Sequence, residues 1–397
     1  MENLISYQNN LLRQIKNDWS RYLYKDLKTG ERLLGIKGLR GVGKTTLLLQ
    51  YLKFSYADFD KGLYVTADHP HFYTESLFET ASRWYSYGGK LLLIDEVHKY
   101  PNWSRELKLI YDGFPDMNVI FTSSSALNLY RGESDLSRRL ITQFLHGLSF
   151  REFLNLRYGF RFDVLTLQDI LKNKHTQTIT SEIKVLPLFK QYLKEGYFPF
   201  GGTGKSAAYG VKLLQVINTI LETDLAFAQD YSMSNVEKIK KLLGVISVSA
   251  PFEPNITKVA QKLQIGRNTV LSFLHHLEDA HLLNLANKPN KGISYLQKPD
   301  KIYFENTNFV YGLQENPDIG SVRETFFANQ LRNAGFQVNL NPANGDFIVN
   351  DTYTFEVGGK NKGQKQIKGA ENAYLAIDET EVGFANRIPL WQFGFLY

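Results

Sequence analysis

The sequence predicts an α/β protein with more than one domain, and two observations support this fold class, while a third narrows the possible chemistry. Its 397 residues exceed the length at which one hydrophobic core keeps growing, and 43% of them are hydrophobic, which is typical of globular chains. Short apolar runs of strand length alternate with helix-like stretches in the first third of the chain, a pattern typical of parallel sheets. The chain contains no cysteine, which excludes disulfide scaffolds, zinc-thiolate sites and cysteine nucleophiles.

Four runs predict the strands of a doubly wound parallel sheet, with helix-like stretches between them. They are 32–37, 62–66, 91–94 and 118–122. The third run is apolar at every position, as a strand covered on both faces requires. β-type runs return near the end of the chain, where further strands are predicted at 338–340, 347–349, 353–357, 374–377 and 391–397. We predict four segments: 1–150, a helical lid or linker at 151–245, 246–302 and 303–397.

A glycine-rich loop lies between the first strand and the helix that follows it. Residues 38–45 fit the pattern G-x-x-x-x-G-K-[ST] at every position. The loop N–H groups and the helix N-terminus suit a phosphate, Lys44 would reach the β and γ phosphates, and Thr45 would ligate Mg²⁺. The pattern therefore predicts ATP and Mg²⁺ as ligands. The residues expected to bind the nucleotide are Gly38, Leu39, Arg40, Gly41, Val42, Gly43, Lys44, Thr45 and Thr46.

Two adjacent carboxylates, Asp95 and Glu96, follow the apolar strand at 91–94. The carboxyl end of a parallel strand is the edge of the sheet where ligands of α/β folds bind. Asp95 would hold the magnesium ion directly or through water, and Glu96 would polarise the attacking water. Together with the glycine loop, this pair predicts ATP hydrolysis.

Two further positions could complete such a site. The hydroxyl residues 122–125 end the next strand, where Ser123 or Ser124 could orient the attacking water, or could cap the following helix. Arg139 follows Arg138 and could act on the γ phosphate bound to a neighbouring subunit of a homo-oligomer, or could belong to an exposed pair.

The basic excess of the chain is concentrated in 255–301, where helix-like stretches flank a short turn at 264–266. This region holds a local charge of +4 out of +6 for the whole chain. Five polar or basic side chains here would face duplex DNA if the segment is a helix-turn-helix, and the alternative is a module that packs domains together. They are Lys258, Lys262, Arg267, Asn268 and Thr269.

Four motifs occur in the order found in prokaryotic AAA-type ATPases that carry a C-terminal domain of unknown function, and the chain resembles that family. The motifs are Leu39–Leu48, Leu92–Trp103, Val119–Ala126 and Leu148–Phe153. The resemblance implies an AAA-like P-loop NTPase core at 1–150, a winged helix-turn-helix at 246–302 and a restriction-endonuclease-like α/β domain at 303–397. It also implies that Ser123 or Ser124 is the sensor and Arg139 the arginine that acts in trans.

The last segment resembles the active centre of restriction endonucleases. Glu324, Asp346 and Glu356 match its three carboxylates, but Gly358 occupies the place of its lysine, and Lys360 follows two residues later. In an extended strand, that shift moves the lysine about 6 to 7 Å along the chain. We therefore expect this domain to bind a partner rather than to cleave nucleic acid.

These patterns predict a magnesium-dependent ATPase that switches or remodels a complex with DNA or with a partner protein. Two alternatives stay open: a nucleotide-gated nuclease that uses the last domain, and an interaction module with a vestigial nucleotide site. No apolar run approaches the roughly 20 residues of a membrane helix, so we expect a soluble, cytoplasmic protein without a membrane partner.

Overall fold

The computed structural model describes residues 1–16, 18–28, 30–124, 136, 138–201, 206–229, 231–249, 254–289 and 297–397. Within this chain two compact units are distinguished: unit 1, Met1–His146, and unit 2, Gly147–Tyr397. Of the predicted hydroxyl cluster at 122–125, the last residue lies outside the described residues. In the described ranges, no helix combines the length and the apolar character that crossing a bilayer needs.

Unit 1 is built on a five-stranded, all-parallel sheet with the strand order β2-β3-β4-β1-β5. Its strands are β1 (Leu33–Gly38), β2 (Gly62–Thr66), β3 (Leu91–Asp95), β4 (Asn118–Ser124) and β5 (Ile141–Phe144). Its helices are α1 (Glu2–Gln14), α2 (Lys44–Phe54), α3 (Leu77–Ser86) and α4 (Trp103–Gly113). The four strands predicted from the sequence are confirmed, and β5 is a fifth that the sequence did not indicate.

The position of the third strand follows from its composition. Residues 91–95 are buried at every position, as a central parallel strand requires. The start of the preceding helix, α3, is also set by a local signal. The Ser76 side chain accepts a hydrogen bond from the Glu79 N–H, and the Glu79 carboxylate accepts one from the Ser76 N–H. The order of the strands brings the carboxyl ends of β3, β4 and β1 side by side.

Unit 2 begins with helices and continues into a helix pair, a hairpin and a mixed sheet. The helices are α5 (Phe150–Tyr158), α6 (Leu167–Leu171), α7 (Thr176–Glu182), α8 (Val185–Glu195), α9 (Ser206–Thr219), α10 (Ala226–Gln229), α11 (Met233–Ser249), α12 (Ile256–Leu263), α13 (Arg267–Asp279), α14 (Thr307–Leu313) and α15 (Ile319–Asn333). A π-helical segment, Ile220–Leu225, joins α9 to α10. The hairpin strands β6 (Leu283–Ala286) and β7 (Lys301–Phe304) pair antiparallel.

The mixed sheet of unit 2 has the order β12-β11-β10-β9-β8. Its strands are β8 (Val338–Leu340), β9 (Phe347–Val349), β10 (Tyr353–Gly358), β11 (Ala373–Ile377) and β12 (Arg387–Pro389). β10, β11 and β12 run parallel, whereas β9 is antiparallel to both β8 and β10. Four of the five predicted strands near the end of the chain are therefore confirmed.

The fifth, 391–397, is wrong. Leu390–Phe395 forms a 3₁₀ helix, and β12 occupies 387–389 just before it. Every residue of that helix is buried, and an apolar run buried on all sides carries no periodicity that separates strand from helix.

Candidate active site

The glycine loop of unit 1 joins β1 to α2 with the backbone that the motif requires. Gly41 has a φ of 80° and Gly43 a φ of 98°, which are left-handed conformations open to glycine. A Cβ on Gly38 would overlap the carbonyl oxygen of Leu145, so the first glycine of the motif is fixed by close packing as well. Lys44 is buried, and its Nζ donates to the carbonyl oxygens of Gly38 at 2.7 Å and Leu39 at 3.0 Å.

A buried arginine braces the loop from the preceding segment. The Arg21 guanidinium is 3% exposed and donates to the carbonyl oxygen of Val42 in the loop and, at 2.6 Å, to that of His146. These bonds tie the last residue before Gly43 to the end of unit 1. Sequence reasoning missed Arg21, because its position upstream of the motif follows no spacing rule.

The two residues predicted to hold magnesium are brought together. The Thr45 Oγ1 donates to Asp95 Oδ2 at 2.6 Å, and the Tyr64 hydroxyl donates to the same oxygen at 2.9 Å. Thr122 Oγ1 donates to Asp95 Oδ1. Burial, and then the charge of Asp95, raises the pKa of Tyr64, so this phenol stays protonated and remains a donor. The sequence did not single out Tyr64, since its contact depends on the order of the strands.

The donor set fits Mg²⁺ bound with a nucleotide. Mg²⁺ prefers oxygen ligands and is usually held by one or two carboxylates together with substrate phosphates. Here the hydroxyl of Thr45, in the first turn of α2, donates to the carboxylate of Asp95, at the end of β3.

Glu96 follows Asp95 in a left-handed conformation, with a φ of 50°. Its N–H donates to Thr122 Oγ1 at 2.9 Å. Its Oε1 lies 3.3 Å from Arg40 Nη1, and its Oε2 pairs with Lys99, whose ammonium also lies 2.6 Å from the Asp68 carboxylate. Burial alone would lower the pKa of Lys99, but its hydrogen bonds to the two carboxylates outweigh burial and raise it.

The other predicted positions of unit 1 lie nearby in sequence but contact other groups. Ser123 is buried, and its Oγ donates to the Ser124 carbonyl at 3.2 Å. The β4 hydroxyl that the structure brings to Asp95 is that of Thr122. Arg139 makes a two-pronged ion pair with Asp112, at 3.0 and 3.1 Å, so its predicted role in trans stays a prediction.

The three predicted carboxylates of unit 2 come from α15, the loop before β9, and β10. Asp346 Oδ2 accepts from the Val357 N–H at 2.8 Å. Burial raises the pKa of Asp346 to about 6; the Val357 bond opposes this, and the charges of Glu324 and Glu356 add to it. In the described part of the chain, no group of three or more carboxylate or histidine side chains is spaced to hold a metal ion.

The lysine that pairs with one of these three carboxylates is Lys362, whereas the sequence pointed to Lys360. Lys360 is exposed, whereas Lys362 forms an ion pair with Glu356 Oε1. Glu356 is fully buried, and its Oε2 accepts no hydrogen bond from the residues the structure describes. The third carboxylate, Glu324, also has partners. Its Oε2 accepts hydrogen bonds from Lys301 Nζ at 2.5 Å and from the Tyr303 hydroxyl at 2.6 Å, and both donors lie on β7.

The predicted DNA-facing residues occupy α12 and the start of α13. Asn255 caps α12 by accepting from the Lys258 N–H at 3.1 Å, and Gln264 ends it with a φ of 55°. The five side chains share one property, which is that each is exposed: Lys258, Lys262, Arg267, Asn268 and Thr269.

The parallel sheet, the glycine loop and the Thr45–Asp95 contact define a P-loop nucleotide-binding domain. Residues 30–154 match the AAA domain family, which supports an AAA-type P-loop ATPase domain in this part of the chain.

The chain is 25% identical over 390 residues to "Uncharacterized protein MJ1637" of Methanocaldococcus jannaschii, covering 89% of this chain and 80% of that one. Among solved structures, the S. cerevisiae Hsp104-ADP complex matches with 16% identity and a TM-score of 0.31, over 69% of this chain and 41% of that chain. This chain thus spans less than half of the Hsp104 chain. AMPPCP-bound DnaA from Aquifex aeolicus matches with 17% identity and a TM-score of 0.25, over 65% of this chain and 84% of that chain.

Proposed function

We propose that unit 1 binds ATP with Mg²⁺ and hydrolyses it, and that this reaction switches a complex with duplex DNA or a partner protein. The observation that carries the proposal is the 2.6 Å contact between the Thr45 hydroxyl and Asp95, at the start of the helix that follows the glycine loop. Glu96 follows directly and supplies a second carboxylate.

Each group has a defined task in this reaction. The loop N–H groups and the Lys44 ammonium bind the phosphates, while Thr45 and Asp95 would hold the ion. When bound, Mg²⁺ neutralises the charge that develops on the phosphate oxygens. Glu96 orients the water that attacks the γ phosphorus, which requires its carboxylate to leave Arg40 and Lys99.

Three substitutions test these tasks. Lys44→Ala and Asp95→Ala should weaken nucleotide binding, because they remove a phosphate contact and an ion ligand. Glu96→Gln should keep binding but slow turnover about 10²-fold or more, since it removes the base and keeps the shape. Glu31→Gln, at an exposed position, is the control. If phosphate release by Glu96→Gln is as fast as in the wild type, the role proposed for Glu96 is refuted.

Duplex DNA is the partner that the exposed side chains of α12 and of the first turn of α13 favour. Five exposed polar or basic side chains lie on this helix pair, and Arg267 to Thr269 form the first turn of α13, where helix-turn-helix readers contact DNA. The expected result is an ATPase rate that rises with duplex DNA and loses this rise at high salt. Arg267→Ala should abolish the stimulation and Lys190→Ala, an exposed control on α8, should not.

The carboxylate cluster of unit 2 favours binding over cleavage. Glu324 is engaged by Lys301, and Glu356 by Lys362, so two of the three carboxylates carry a cationic partner. Supercoiled plasmid incubated with ATP and Mg²⁺ or Mn²⁺ should therefore stay supercoiled. Relaxation that requires ATP and that Asp346→Ala abolishes would instead support the nucleotide-gated nuclease.

Two further outcomes separate the remaining alternatives. Partner capture that is independent of ATP would identify an interaction module with a vestigial nucleotide site. A trans role of Arg139 requires a homo-oligomer, so we expect hydrolysis per chain to rise with protein concentration and Arg139→Ala to remove that rise.

A further inference from the structure

A single hydroxyl of unit 1 contacts both residues assigned to hydrolysis, through the carboxylate of Asp95 and the backbone N–H of Glu96. Thr122 Oγ1 donates to Asp95 Oδ1 and accepts from the Glu96 N–H at 2.9 Å. A threonine hydroxyl has one proton to donate and two lone pairs to accept with, so both contacts form at once without competition. The side chain is fully buried in β4, which keeps water from replacing either bond.

The strand register explains why Thr122 lies at this point. Ile94 of β3 stands opposite Phe121 of β4, so Asp95 and Thr122 are the next neighbours along the two strands. β1 flanks Thr122 on the other side, where it pairs with Ile36. Strands on both sides therefore fix the backbone of Thr122, and a hydroxyl on such a backbone has little freedom to move away.

The two bonds constrain different features. On Asp95, Thr122 binds Oδ1 while Thr45 and Tyr64 bind Oδ2, so the plane of the carboxylate is fixed from both ends. On Glu96, Thr122 satisfies the N–H of a residue with a φ of 50°, a conformation that non-glycine residues adopt only with support from their surroundings.

We propose that Thr122 is a positioning residue for ATP hydrolysis, which holds Asp95 turned toward Thr45 and fixes the backbone from which Glu96 reaches the attacking water. This inference rests on the function proposed above. Thr122 touches neither nucleotide nor water in this role, and acts through the carboxylate of Asp95 and the backbone of Glu96.

The test compares Thr122→Val with Thr122→Ser. Valine keeps the branched shape that suits a buried strand but has no hydroxyl, whereas serine keeps the hydroxyl. In Thr122→Val, we expect kcat at saturating Mg²⁺ to fall at least tenfold and the Mg²⁺ concentration for half-maximal rate to rise about fivefold. Thr122→Ser should stay within about threefold of wild type in both quantities, and thermal unfolding checks that each variant is folded.

Tyr64→Phe separates positioning from general damage to the site. It also removes one hydrogen bond to Asp95, but leaves the Glu96 N–H with its acceptor on Thr122. It should therefore raise the Mg²⁺ requirement while leaving kcat at saturating Mg²⁺ near wild type. Equal kcat in Thr122→Val and wild type, or equal losses of kcat in Thr122→Val and Tyr64→Phe, would overturn the proposal.

Failure of the proposed function gives a different result. Lys44→Ala is the reference, and wild-type turnover no faster than that variant would refute hydrolysis at this site. In that case, Mg²⁺-dependent binding of a fluorescent ATP analogue tests whether Thr122 orients the Asp95 carboxylate. A Mg²⁺ requirement for binding that is the same in Thr122→Val and wild type would refute this part as well.

Discussion

Replacement of Asp346 by asparagine is expected to stabilise unit 2, and to do so more strongly as the pH rises. Burial raises the pKa of Asp346 from the ordinary 3.8 to about 6, so its charged form is disfavoured in the folded chain. The contribution of Asp346 to the free energy of unfolding is therefore fully present below its pKa in the unfolded chain. It is lost as the pH rises through the folded-state pKa of about 6. Since one pKa unit corresponds to 1.36 kcal/mol, the whole loss of stability is about 3 kcal/mol.

The part of this loss that falls between pH 5 and pH 8 is about 1.4 kcal/mol by linkage. Asparagine keeps an oxygen for the Val357 N–H, which Asp346 binds at 2.8 Å, and carries no charge. The gain in free energy of unfolding from Asp346→Asn over wild type should therefore grow by about 1.4 kcal/mol across that range.

The assay is urea unfolding of the full chain with EDTA present. The transition is monitored by amide hydrogen exchange in the peptide that spans β10. That strand adjoins Asp346 and belongs to unit 2, so its exchange reports the relevant transition. Asp351→Asn, at an exposed position between β9 and β10, is the control and should show no such dependence on pH. A gain from Asp346→Asn that is the same at pH 5 and pH 8 would refute the reasoning.

Three further substitutions concern unit 1. Gly38→Ala should cost about 1–3 kcal/mol and lose ATP binding, because its Cβ would overlap a backbone carbonyl; Gly113→Ala, with an ordinary 3.9 Å contact, is the control in thermal unfolding. Arg139→Ala should cost less than about 1 kcal/mol in urea unfolding, since its ion pair with Asp112 is partly exposed, and a larger loss would make that pair structural. Arg21→Leu should weaken binding of a fluorescent ATP analogue by freeing the glycine loop, an idea that unchanged affinity would contradict.

Much of unit 1 could be predicted from the sequence because its signals are local. The strand, glycine loop and helix around Lys44 are contiguous, and the apolar run before Asp95 marks its own end. β5 escaped prediction because it is a four-residue edge strand without a fully buried position. Thr122 and Tyr64 act on Asp95 across neighbouring strands, and strand order is not written in any local pattern.

The lysine of unit 2 shows how a local rule fails at a turn. The extended-strand rule led to Lys360, two residues beyond Gly358. β10 ends at Gly358, and the chain turns back so that the methylene groups of Lys362 fill the space where a Cβ on Gly358 would lie. The ammonium of Lys362 thereby reaches Glu356, from a position that no strand periodicity marks.

The strand order of unit 1 also has a consequence for how its site forms during folding. Gly38 and Asp95 end β1 and β3, and Thr122 lies two residues before the end of β4, the strand between them, although long stretches of chain separate the three in sequence. Parallel pairs of this kind close large loops, and such non-local contacts form slowly. During refolding, the helices of unit 1 should therefore appear well before the chain can bind a nucleotide, and ATP should bind and stabilise only chains whose central strands have already paired.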